Sequence, residues 1–179
     1  MLCITVIFGE YYISIDYGTQ NPTSMGLWLL SHDGHAYRIR ESYYDGRKNG
    51  QRTDEEHYAE LERLAGDLIS EIRYVIVDPS VASFIECIRC HGIFRVRKAD
   101  NSVIDGIRNV STLLKLERLH FSETCKDTIR EFSLYRWDEK SHEDKPLKEN
   151  DHAMDDMRYF VQTAMYRTLK ELMRGDGID

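Results

Sequence analysis

Carboxylates stand where they could do chemistry at Asp16, at Asp78, and at Asp155 and Asp156, the last two following His152 by three and four residues. Hard divalent cations such as Mg²⁺ or Mn²⁺ bind oxygen ligands, and two such ions a few ångströms apart can clamp the attacking and leaving oxygens of a phosphodiester displacement. A site of that kind needs three or more converging carboxylates. His152, Asp155 and Asp156 are spaced i, i+3 and i+4, which sets them on one face of a helix where they could point together at a metal. Each aspartate also has a plainer role open to it. Acids favour helix N-termini, Asp16 suits the turn before Gly18, and Asp78 is a polar stop before Pro79. A carboxylate that ends a fully apolar strand is harder to explain this way, because a buried unpaired charge is costly and a cation removes that cost.

The elements that must position these groups are legible as patterns. Residues 12–16 alternate and run into Gly18 and Asn21-Pro22, which predicts a strand with Asp16 at its end. Residues 24–30 and 35–42 predict two more strands about Asp33-Gly34, a tight-hairpin dipeptide. Residues 45–51 read as loop, and Thr53-Asp54-Glu55-Glu56 caps a helix reaching Ser70. The run Tyr74-Val75-Ile76-Val77 predicts a strand covered on both faces, stopping at Asp78-Pro79. A helix over 81–90 closed by Gly92, then a short strand over 93–96, completes a β-α-β unit. Further helices are expected over 103–118, 123–135 and 151–173, with a short strand at 119–121. The charged stretch 138–149 has no expected core residue and reads as a mobile loop, and residues 175–179 as a fraying end. The order describes an α/β fold, a mixed sheet with helices on its faces, in one domain. If the strands ending in Asp16 and Asp78 are neighbours, both side chains emerge beyond one sheet edge, where open α/β sheets place ligands.

A chain of 179 residues buries about two thirds of its surface on folding, enough for its own core. With 41% hydrophobic and 31% charged residues, neither disorder nor a coiled coil describes it. The net charge of −7 argues against a general basic coat, so any nucleic-acid contact must be local. Two basic groups offer such contacts: Arg89, Arg95, Arg97 and Lys98 after the second carboxylate, and Arg47 and Lys48 with Arg38, Arg40 and Arg52 around the hairpin. Such residues position phosphates without reading sequence, although solvated faces look the same. No apolar run approaches the roughly 18 residues of a membrane span, and the N-terminus lacks a leader pattern, so a cytosolic chain is expected. Cys3, Cys87, Cys90 and Cys125 are too few and irregular for a disulfide framework. Cys87-Ile88-Arg89-Cys90-His91 formally matches a haem-attachment pattern and could open a zinc site, but no second cysteine pair completes it. These cysteines therefore read as small helix residues.

Taken in order, several stretches resemble the C-terminal nuclease domain of the bacteriophage terminase large subunit. They are Ile15-Asp16-Tyr17-Gly18-Thr19-Gln20-Asn21-Pro22-Thr23, Val77-Asp78-Pro79-Ser80, Lys98-Ala99-Asp100-Asn101 with Ile104-Asp105-Gly106-Ile107, and Asn150-Asp151-His152-Ala153-Met154-Asp155 with Arg158-Tyr159. The likeness implies an RNase H-like fold with helices on both faces of the sheet and an endonuclease cutting concatemeric viral double-stranded DNA during packaging. It implies a metal-binding triad of Asp16, Asp78 and Asp155 holding two divalent ions, Mg²⁺ or Mn²⁺, with His152 beside them. Asp156 stands where a small residue is expected, so it competes with Asp155 as ligand; the three-residue spacing after His152 favours Asp155. The resemblance also implies an N-terminal ATPase domain, a small terminase subunit and the portal as partners, in the cytoplasm of an infected or prophage-carrying bacterium. No GxxxxGK phosphate loop occurs, so this chain would be the fragment that cuts without translocating. Rival readings are a non-catalytic docking domain between motor and portal, a junction resolvase, and an actin-like or sugar-kinase fold suggested by Asp16-Tyr17-Gly18-Thr19. The last needs two such domains, and the chain has one copy of the motif.

Overall fold

Residues alternating along one strand decide what each face of this sheet receives. The computed structural model describes residues 8–138 and 145–175. Strands β1 (Gly9–Asp16), β2 (Thr23–Ser31), β3 (Ala36–Tyr44), β4 (Ile72–Val77), β5 (Val96–Lys98) and β6 (Leu119–Phe121) form one sheet in the order β5-β4-β1-β2-β3-β6. The meander β1-β2-β3 is antiparallel, while β4 joins β1, β5 joins β4 and β6 joins β3 in parallel. This is the expected mixed α/β sheet, and its strand order explains the apolar run 75–77: β4 lies between β1 and β5 with both faces covered, so Val75, Ile76 and Val77 are all fully buried.

On one face, Ile13 and Ile15 of β1 with Met25 and Leu27 of β2 pack against helices α2 (Asp54–Ala65) and α3 (Ala82–His91). On the other, Tyr12, Trp28 and Ile76 pack against α4 (Val103–Lys115) and the terminal helix, where Trp28 stacks on Phe160 at 4.4 Å. That helix begins as α6 (His152–Phe160), passes through a π-helical segment (Val161–Met165), and ends as α7 (Tyr166–Gly175). The sequence predicts one uninterrupted α-helix here. The π segment keeps Val161, Met165 and Leu169 buried while Gln162 and Thr163 receive bonds from Asn109 and the Asp100 amide.

Several boundaries differ from expectation for local reasons. The 45–51 stretch contains a one-turn helix α1 (Gly46–Asn49), because Asp45 caps the Arg47 amide at 3.0 Å. The β2-β3 hairpin closes with a wider loop than Asp33-Gly34 suggests: the Ser31 amide donates to the His35 carbonyl, and Gly34 holds φ 82°. β5 starts at Val96 rather than 93, since Phe94 turns into the core and Ile93 stays exposed. The capped helix stops at Gly66 and continues as a 3₁₀ turn (Gly66–Glu71). β6 falls where expected, whereas helix α5 (Lys126–Leu134) starts three residues later than expected, after a turn closed by the Cys125 amide on the Ser122 carbonyl. Of the expected loop 138–149, residues 139–144 lie outside the described residues. Its described ends pair with each other through the Asp138 and Leu147 amides, and Pro146 is buried, against the expectation of no core residue there. The expected fraying at 176–179 also falls outside. Cys87, Cys90 and Cys125 are free thiols; Cys3 is outside the described residues. No helix among the described residues is long and apolar enough to cross a membrane.

Candidate active site

Parallel pairing aligns Ile15 of β1 with Val77 of β4, so Asp16 and Asp78 leave the sheet at the same edge. Alternation puts Asp16 on the face of Tyr12 and Ser14, the one covered by α6. His152, the first residue of α6, sets its Nδ1 2.8 Å from Asp16 Oδ2. Two turns on, the Tyr159 hydroxyl donates to Asp78 Oδ2 at 3.0 Å and lies 3.5 Å from Asp16 Oδ1, joining both strand ends to one helix. Asp78 also accepts from the Ser80 amide at 2.8 Å and from Asn101 Nδ2 at 3.2 Å.

Asp155 occupies the same helix face between His152 and Tyr159. Its Oδ1 accepts from Arg158 Nη2 at 2.8 Å, and its Oδ2 lies 3.6 Å from the Lys148 ammonium. Arg158 is itself held by the carbonyls of Asn101 and Ser102, at 2.7 and 3.1 Å. A Cβ on Gly106 of α4 would stand 2.4 Å from Arg158 Cγ, so only glycine lets that guanidinium pass to Asp155. Among the described residues, the ligand oxygens of Asp16, Asp78 and Asp155 are not drawn within 4.8 Å of one another, unlike the ligand atoms of Glu55, Cys87 and His91 on the far face. The Tyr159 hydroxyl bridges Asp16 and Asp78 instead, while Asp155 is held by Arg158.

Asp156, one residue further, turns the other way. It is fully buried, accepts from Ser14 Oγ at 3.0 Å and from Ser24 Oγ, and receives both terminal nitrogens of the buried Arg38, Nη2 at 2.9 Å. Gly26 leaves the room for this, since a Cβ there would meet Arg38 Nη1 at 2.4 Å. The helix spacing brings His152 and Asp155 to the Asp16 edge and takes Asp156 beneath it.

Electrostatics follow from burial. Burial pushes Asp16 up to about 6; the His152 hydrogen bond opposes this, and the Asp155 and Asp156 charges add to it. Burial also acts upwards on Asp78, but hydrogen bonds from Ser80, Asn101 and Tyr159 outweigh it and hold the carboxyl below its usual range. Burial works against His152 protonation, yet Asp16, Asp151 and Glu131 prevail and raise its pKa. The α6 N-terminus is capped by Glu131 of α5, which accepts from the Ala153 amide at 2.7 Å; Asp151 makes no side-chain cap bond.

Of the basic residues, Arg47 and Lys48 line a cleft of about 590 Å³ together with Arg130, Lys148 and His152, so they flank the acidic edge. Arg38, grouped with them in the sequence, is fully buried on Asp156 and does not face solvent. Arg95, Arg97 and Lys98 are exposed on β5 and just before it. Lys98 pairs with Val77 near the carboxylate end, whereas Arg95 lies by Ile72 and Arg73 at the opposite end. Sequence reasoning does not single out Tyr159, Arg158, Asn101, Arg130 or Lys148 as site residues. For Arg158 and Tyr159 a signal exists: they follow Asp155 by three and four positions, on its own helix face.

A mixed six-stranded α/β sheet with helices on both faces is also the architecture of phage large terminase nuclease domains. The chain is similar to the large terminase of a thermophilic bacteriophage, solved in complex with ADP, with 48% identity, a TM-score of 0.85, and coverage of 91% of this chain and 41% of that one. It thus spans about two fifths of that relative's length. It also superposes on the P22 large terminase nuclease domain (20% identity, TM-score 0.69, 93% and 90% of the two chains). The large terminase nuclease of thermophilic phage G20c with bound cobalt matches at 13% identity and TM-score 0.60 over 84% and 79%. No protein-family model and no curated protein matches the sequence. Its structural neighbours are therefore large terminase nuclease domains, as the sequence resemblance implies.

Proposed function

We propose that this chain is the nuclease domain of a large terminase, an endonuclease that cuts concatemeric viral DNA during packaging. The observation that carries the reading is the convergence of Asp16 and Asp78 from adjacent parallel strands onto one face of α6, under His152, Asp155 and Tyr159. The donor set fits hard divalent ions: it is dominated by carboxylate oxygens, and the buried Asp16 bears its charge at a cost that a cation would relieve. Asp16, Asp78 and Asp155 would hold two Mg²⁺ or Mn²⁺ ions, with His152 at their margin. Asp156 is left out because Arg38, Ser14 and Ser24 already occupy its oxygens. The cobalt bound to the G20c nuclease is in keeping with divalent binding in this fold.

When bound, such ions supply a nucleophile from water at neutral pH and stabilise the departing oxygen. The chain's own groups do the rest. Tyr159 orients Asp16 and Asp78 relative to each other, Arg158 fixes Asp155, and Asn101 with the Ser80 amide keeps Asp78 ionised. His152, whose pKa Asp16 raises, can hold a proton at the edge and give it to a leaving oxygen. Double-stranded DNA would lie in the cleft of Arg47 and Lys48 and reach across to Lys98. An N-terminal ATPase domain, a small terminase subunit and the portal would complete the machine in the host cytoplasm, this chain forming the single cutting domain.

The decisive experiment is nicking and linearisation of supercoiled plasmid with Mn²⁺ or Mg²⁺, comparing the native chain with Asp78→Asn and an EDTA control. Cleavage that needs the ion and disappears in the variant is expected. A folded protein that cuts with neither ion would overturn the nuclease reading and favour a docking domain between motor and portal.

A further inference from the structure

On the opposite sheet face from the acids, α2 and α3 bring together three ligand types that the nuclease reading does not use. Cys87 and His91 sit one turn apart on α3, so they share a face, and that face meets the first turn of α2 at Glu55. Cys87 Sγ is 3.5 Å from Glu55 Oε1 and His91 Nε2 is 2.8 Å from Glu55 Oε2; the three potential ligand atoms all lie within 4.8 Å of one another. Tetrahedral zinc with bonds of about 2.0 to 2.3 Å separates its ligands by roughly 3.3 to 3.7 Å, so only small side-chain adjustments are needed. The buried Tyr58 ring stacks on His91 at 3.7 Å and 7° between planes, which fixes the imidazole. Glu55 and the His91 ring edge are open to solvent, leaving room for a water as fourth ligand.

We propose that Glu55, Cys87 and His91 form a second metal site, for zinc or a similarly borderline-soft divalent ion, that clips α2 to α3. The thiolate and imidazole select against Mg²⁺ and Mn²⁺, which the carboxylate edge suits instead. Cys90, the other cysteine of the sequence motif, is not a ligand, since its thiol faces Glu86 at 3.8 Å. The missing partner of the motif is thus a carboxylate on another helix rather than a second cysteine pair. Binding would release the Cys87 proton to solvent.

The probe is Co²⁺, titrated into the reduced native chain and followed by near-ultraviolet thiolate-to-cobalt charge transfer, with Zn²⁺ then competing. The band should appear, be displaced by Zn²⁺, vanish in Cys87→Ser, and persist in Cys90→Ser. Zinc affinity should fall at least about tenfold in His91→Ala and in Glu55→Gln. The band should also survive in Asp78→Asn, so failure of the nuclease reading leaves this site standing and the reverse. No thiolate band at saturating Co²⁺, or a band that follows Cys90 instead of Cys87, overturns the proposal.

Discussion

Adjacent acids in one helix can do unrelated jobs, and Asp155 and Asp156 differ in what surrounds them. Asp155 has Arg158 on one oxygen and solvent-facing Lys148 on the other, both within reach of exchange for a cation. Asp156 is sealed beneath the sheet surface, where burial raises its pKa while Arg38 and two serines oppose the rise. A buried pair of this kind is hard to break, because removing one partner strands the other charge in a low-dielectric interior. Asp156→Asn should therefore lower unfolding stability by about 3 kcal/mol while leaving metal affinity near native. The double variant Arg38→Met, Asp156→Leu should regain most of that stability, since apolar packing can replace a buried pair. Chemical denaturation alongside calorimetric Mn²⁺ titration checks both. A stable Asp156→Asn protein that no longer binds the ion would make Asp156 the ligand.

At the level of elements, the strands that lead to Asp16 and Asp78 are readable because each acid ends a patterned run: an alternating run in one case and a fully apolar run in the other. Their neighbourhood is not readable: the β-α-β unit joins β4 to β5, and it is the parallel pairing in the fold that sets β1 beside β4. The role of Asp156 is not readable, because its partner Arg38 lies on β3, and nothing local marks an arginine as pointing into the core. The fine placement of α6 is equally hidden; it depends on Glu131 of α5 for its cap and on Gly106 of α4 for the passage of Arg158. Gly106 makes a sharp case. Alanine favours a helix interior over glycine by about 1 kcal/mol, yet here its Cβ would overlap the Arg158 side chain. Displacing Arg158 frees Asp155 to move, and small misplacements of reacting groups can cost about a hundredfold in rate. Gly106→Ala should thus cut plasmid roughly ten- to a hundredfold more slowly, with its circular dichroism spectrum unchanged. Native cutting rates in this variant would show that Arg158 does not set the position of Asp155.

For the whole molecule, the proposed function raises the problem of how a chain of net charge −7 would hold a polyanion. Long-range attraction is absent, so affinity must come from a few cations set where the backbone lies against the acidic edge. Composition offers two candidate groups with no way to rank them, since a basic cluster on a loop and one on an edge strand look alike in sequence. The structure separates them by place. Arg47 and Lys48 share a cleft with His152, with Lys148 and Arg130 completing its rim, although Asp45, Asp127 and Glu149 in the same cleft temper the field. Arg130 is tied to Asp127, Lys48 to Asp45, and Lys148 to Asp151 and Asp155, so among the described cations of the rim Arg47 carries the least local compensation. Arg95 is at the other end of β5. Reversing Arg47 and Lys48 to glutamate should weaken binding of duplex DNA and flatten the plot of log affinity against log salt by about one for each phosphate no longer neutralised. Reversing Arg95 alone should change neither. Binding measured by fluorescence anisotropy across a salt series, with Ca²⁺ in place of Mg²⁺ to hold off cutting, reads both numbers. An unchanged slope in the Arg47 and Lys48 variant would mean that the backbone tracks elsewhere, and an altered slope in the Arg95 variant would point to β5 as its path.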